Sequence, residues 1–132
     1  MKHTIPIQVK KALQQSWDKQ TCYPADISKW SEHLPETGQC AVTALLINDL
    51  YGGKIVFNQR LDHYWNILPD GKEIDLTKKQ FTKNIRGEKI PVTRQEILHS
   101  TAARKFKTNT RYLLLKRRVE SLIQNSQLLL LK

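Results

Sequence analysis

The chain has 132 residues, 39% hydrophobic and 26% charged, with 22 Lys and Arg against 12 Asp and Glu for a net charge of +10. This is the composition of an ordinary globular protein, read here as a single domain over 1–132 that can bury a core without metal or disulfide support. Two cysteines exclude a disulfide framework, and no apolar run approaches the ~18 residues of a membrane span.

The start, Met1-Lys2-His3, is polar and unlike a secretory leader, so a reducing, cytoplasmic location is expected. Charge is unevenly spread. Residues 1–80 carry 10 basic against 9 acidic side chains, whereas residues 81–132 carry 12 against 3. Such a skew marks either a solvated basic face or a contact for an anionic partner.

In chain order, residues 4–19 predict a helix, with Thr4 as cap, Pro6 in the first turn and Val9, Leu13 and Trp17 on one stripe. Residues 20–36 read as irregular, broken by Pro24 and Pro35. The run from Gly38 to Leu50 is apolar nearly all round, which predicts a central buried helix ended by Gly52-Gly53. Strands follow at 54–58, 61–68 and 72–77, the last two joined by the turn Pro69-Asp70-Gly71. A short helix is expected over 93–100 and a longer one over 109–124, with Tyr112, Leu115, Val119 and Leu122 on its stripe. Helix, loop, buried helix, antiparallel strands and basic helices together define an α+β domain.

Cys40 stands at the front of the buried helix. A nucleophilic cysteine reacts as thiolate, and a helix N-terminus favours negative charge through its unpaired N–H groups and dipole. With Thr37 as cap, Cys40 falls in the first turn, and Gly38 leaves room for a substrate to approach. The Cys40 N–H and the Gln39 side chain are the candidate donors to an oxyanion.

The thiol also needs a base and the base an orienting group. His63 lies on the strand "LDHYWNIL". A three-residue hairpin loop pairs Leu68 with Lys72, hence Trp65 with Asp75 and His63 with Thr77. His63 and Asp75 then share a sheet face as diagonal neighbours ~7–8 Å apart at the backbone, within reach of a carboxylate–imidazole bond. A four-residue loop would put them on opposite faces. Asn66 is the rival orienting group, on the face opposite His63.

The order Cys, His, Asp, with the cysteine on a helix start and the other two on consecutive antiparallel strands, resembles the papain-like and transglutaminase-like cysteine enzyme fold. More narrowly, "TGQCAVTALLINDLYGG", "DHYWN", "DGKEIDLTKKQF" and "RYLLLKRRV", spread over residues 37–119, resemble the small bacterial YunG-like family. The resemblance implies a central helix packed on a small antiparallel sheet with flanking helices. The papain and caspase cysteine neighbourhoods are both absent from "GQCAV".

Gly38, Trp30, Trp65 and Asn66 are candidate substrate contacts, with Trp17 and Trp30 read first as core anchors, Trp65 as packing over the site or in the core, and Cys22 as a structural thiol. The histidines and cysteines match no zinc-ligand spacing, and no phosphate-cradling loop is present, so no metal or cofactor is expected. The residues predict an acyl-transfer enzyme working through a Cys40 thioester on a peptide or other amide or acyl substrate. His63 is the base, Asp75 holds its tautomer and Gln39 assists the oxyanion. A second reading is a polyanion or nucleic-acid binding module. It would use Arg104, Lys105, Lys107, Arg111, Lys116, Arg117 and Arg118 with Phe106 and Tyr112 interleaved.

Overall fold

The computed structural model describes residues 5–78 and 88–130. Helix α1 (Ile7–Ser16) is shorter than the predicted 4–19. Pro6 is its N-cap, and the Pro6 carbonyl accepts from the Val9 and Lys10 N–H groups at 3.1 and 3.2 Å. Thr4, expected to cap, lies outside the described residues. Trp17 has left the helix for extended backbone (ψ 128°), and its indole N–H donates to Thr43 Oγ1 at 2.9 Å. The predicted irregular stretch contains a 3-10 helix at Pro24–Lys29, with proline in its first turn where a missing N–H costs nothing.

Helix α2 (Cys40–Tyr51) is the core of the molecule. Val42, Leu45, Leu46 and Ile47 are wholly buried, which accounts for a helix apolar on all sides. Each such side chain contributes roughly 1.5–3 kcal/mol. The helix lies between the sheet and α5 (Thr108–Leu130), and α1 also packs on α5. Gly52 (φ +76°) ends α2, and at Gly53 a Cβ would lie 2.1 Å from the Ile67 carbonyl oxygen, so only glycine fits the approach to the sheet.

The sheet is antiparallel, in the order β3-β2-β1-β4, from β1 (Lys54–Asn58), β2 (His63–Ile67), β3 (Glu73–Ile74) and β4 (Ile90–Val92). The register Asn66↔Ile74 and Ile67↔Glu73 is the one a three-residue loop dictates. The loop is closed by Leu68 N–H to the Lys72 carbonyl at 2.8 Å, with Gly71 at φ +92°. Two predicted strands shrink. Residues 61–62 turn, with Asp62 at φ +50° and Leu61 N–H donating to Asn58 Oδ1, and the chain leaves the ladder at Asp75. Strand β4, unforeseen because Pro91 sits in it, is an edge strand, where a missing donor is tolerated.

The predicted 93–100 helix is α3 (Arg94–His99), opened by a Thr93–Glu96 capping box, and Ser100 then caps α4 (Thr101–Lys105). On α5, Tyr112, Leu115 and Val119 are buried and Leu122 is half-buried, the stripe expected from the sequence. Asp49 of α2 ties the helices together, with Arg94 at 2.9 Å, Lys116 at 3.3 Å and a hydrogen bond from Tyr112.

Candidate active site

His63 opens β2 and Asp75 follows β3, so the hairpin register sets them diagonally on one face. The His63 Nε2 and Asp75 Oδ2 meet at 2.7 Å. The other carboxylate oxygen accepts from the Thr77 N–H at 3.2 Å and from its hydroxyl at 3.4 Å, a local turn that holds the carboxylate still. The His63 ring is 0% exposed and stacks on Trp65, with centroids 5.7 Å apart and planes 23° apart. Trp65 is itself fixed by its indole N–H, which donates to Glu73 Oε1 at 3.0 Å.

Cys40 is the first residue of α2 and half-buried. The N-cap is Gln39 in place of the expected Thr37, which brings Cys40 two positions closer to the helix end. Its backbone N–H is among those with no intrahelical acceptor. Cys40 is close enough to the His63 ring to act on it electrostatically. Burial pushes the imidazole down, but its hydrogen bond to Asp75 and the influence of Cys40 outweigh it and raise the ring to about 9. Cys40 also opens onto a cleft of about 580 Å³ lined by Tyr23, Asp26, Gly38, Asp62, Tyr64 and Arg111, among others.

The second cysteine differs in kind. Cys22 is 1% exposed, its thiol donates to the Tyr23 carbonyl at 3.3 Å, and burial, with Asp26, pushes it up to about 11. Gly38 lines the cleft at φ +72°, and a Cβ there would lie 2.5 Å from the Cys22 sulfur. The tight packing that demands glycine is therefore against Cys22.

Several expected roles need correcting. The Gln39 side chain is fully buried outside the cleft lining, and its amide donates to the Asp18 carbonyl at 3.0 Å, anchoring the start of α2 instead of facing a substrate. Trp30 and Trp65 do not line the cleft either. The Trp30 indole donates to the Pro35 carbonyl at 2.9 Å, and Trp65 supports His63 from behind. Asn66 faces α2, donating to the Ala44 carbonyl at 2.9 Å, on the side opposite His63 as parity requires. Of the seven basic residues proposed for a polyanion, Arg111 is 7% exposed, Lys116 is paired with Asp49, and Arg118 is paired with Asp18 at 3.0 Å. Arg104, Lys105, Lys107 and Arg117 are exposed. Tyr23, Asp26, Asp62 and Tyr64 were missed as cleft residues, since no local pattern links segments so far apart in sequence.

Among the described residues no three His, Cys, Asp or Glu side chains gather as metal ligands, and no helix is long and apolar enough to cross a membrane.

The fold and site define a small α+β protein with an open antiparallel four-stranded sheet, in which a strand histidine is bonded to an aspartate and a helix-start cysteine opens onto a cleft. The family model for the YunG protein matches residues 6–124, so the chain belongs to the YunG family. It is similar to "Uncharacterized protein YunG" of Bacillus subtilis (strain 168), 40% identical over 95 residues that cover 70% of this chain and 77% of that one. No solved structure matches the chain.

Proposed function

We propose that the protein is a cysteine-dependent acyl-transfer enzyme of papain-like layout, acting on an amide or related acyl substrate. The observation that carries this reading is the 2.7 Å His63–Asp75 bond, on an imidazole that feels Cys40, with Cys40 itself opening onto a cleft. His63 takes the thiol proton, and Asp75 holds the resulting imidazolium in place. The sulfur attacks the acyl carbon, and the Cys40 N–H at the positive end of α2 faces the oxygen that gains charge. His63 then protonates the leaving nitrogen as the C–N bond breaks, leaving a thioester that water or another nucleophile resolves. Hydrolysis, deamidation and transfer differ only in that last acceptor.

Mass-spectrometric mapping after brief treatment with iodoacetamide at pH 7–8 tests the reading. The expected result is one adduct, on Cys40, absent in Cys40→Ala while the circular dichroism spectrum is kept. Label on Cys22 in its place, or an inert Cys40, overturns it. The polyanion reading draws less support, because Arg111, Lys116 and Arg118 are engaged inside the fold.

A further inference from the structure

Among the described residues, Arg111 is a buried cation with no carboxylate partner. Its Nε–H donates to the Phe106 carbonyl at 3.0 Å, and its terminal nitrogens donate to the Thr21 carbonyl and Thr108 Oγ1, both at 3.2 Å. The guanidinium lies over the Tyr23 ring, 5.8 Å from its centroid. Every one of these partners is neutral. Three of the five N–H donors are used, which leaves one on each terminal nitrogen. Buried charges are normally paired with an opposite charge, because desolvation without one is costly. Yet Arg111 is held rigidly at the wall of the cleft that also holds Cys40.

We propose that Arg111 is the specificity residue of the cleft, receiving a carboxylate of the acyl substrate so that its carbonyl is presented to Cys40. The proposal rests on the acyl-transfer reading for the reaction but not for the anion site. A planar guanidinium with two remaining N–H groups suits a carboxylate, which it binds with charge-assisted bonds. Asp26, Asp62 and Lys29 line the same cleft with Arg111, so the lining carries no surplus of positive charge for a polyanion, and a substrate bearing a single carboxylate is favoured over a nucleic acid.

The test has two arms. In the first, the wild-type chain labelled with ¹⁵N is titrated with N-acetylglycine and with N-acetylglycinamide while the Arg111 Nε–H resonance is followed. A saturable shift with the carboxylate alone is expected; no shift, or equal shifts, overturns the proposal. In the second, Cys40 is alkylated with iodoacetate and with iodoacetamide in wild type, Arg111→Lys and Arg111→Gln. The iodoacetate-to-iodoacetamide rate ratio is expected to fall about tenfold in Arg111→Gln and less in Arg111→Lys. An equal loss with both reagents assigns Arg111 to supporting the thiolate and overturns the proposal. If Arg111→Gln does not fold, the titration of the wild-type chain decides. A carboxylate-specific shift with Cys40 inert to both reagents keeps the anion site and removes the acyl-transfer reading. A reactive Cys40 with no shift and an unchanged ratio does the reverse.

Discussion

The His63 imidazole and the Asp75 carboxylate, 12 residues apart, meet at 2.7 Å because a three-residue turn puts both on one face of a hairpin. The same turn with one more residue would reverse the parity of β3 and carry the carboxylate to the other side of the sheet. A hairpin loop thus decides whether the histidine has an orienting partner.

That pairing sets a pH dependence. Burial lowers the His63 pKa, but Asp75 and Cys40 raise it overall from 6.5 to about 9. A folded value above the unfolded one means that protonated His63 favours the native state. The contribution is complete below pH 6.5 and fades as the pH rises to about 9, and it is worth about 3 kcal/mol. Urea unfolding between pH 6 and 10 is expected to show this decline. Asp75→Asn should flatten it and lower the ring pKa, read from the His63 ring resonances; an unmoved titration would remove Asp75 from the site.

Gln39→Ala separates anchoring from catalysis. Loss of the bond to the part-buried Asp18 carbonyl, which still accepts from the Thr21 and Cys22 N–H groups, is expected to cost about 0.5–1.5 kcal/mol in stability. The rate of Cys40 alkylation in the folded protein should stay within twofold. A large drop in that rate at unchanged stability would return the Gln39 side chain to the oxyanion.

Gly38→Ala is expected to destabilise by about 2 kcal/mol, since alanine at φ +72° is strained and its Cβ meets the Cys22 sulfur. Adding Cys22→Ala should recover the steric part and not the backbone part. Denaturant midpoints of the two single variants and the double variant measure the split.

Leu45→Ala, at a wholly buried position in the middle of α2, should cost about 2–5 kcal/mol in denaturant unfolding. The helix that carries Cys40 is held by this packing, so a cost under 1 kcal/mol would show that α2 is not the centre of the core.

Local chemistry was enough to predict the buried helix, the hairpin register and the His63–Asp75 pairing. Each follows from short-range rules: helix periodicity, turn geometry and side-chain alternation act within about a dozen residues. The N-cap at Gln39, the extended backbone at Trp17 and the edge strand through Pro91 did not follow, because contacts distant in sequence decide them. Trp17 leaves its helix to reach Thr43, and Gln39 is held by Asp18. Arg111 shows the limit most plainly. Its position in a basic helix suggested a solvent-facing charge, and only the packing of α5 against Thr21 and Tyr23 turned it into the wall of a cleft. Periodicity tells which face of a helix is apolar, but what a charged residue meets at the margin of that face depends on the partner packed there.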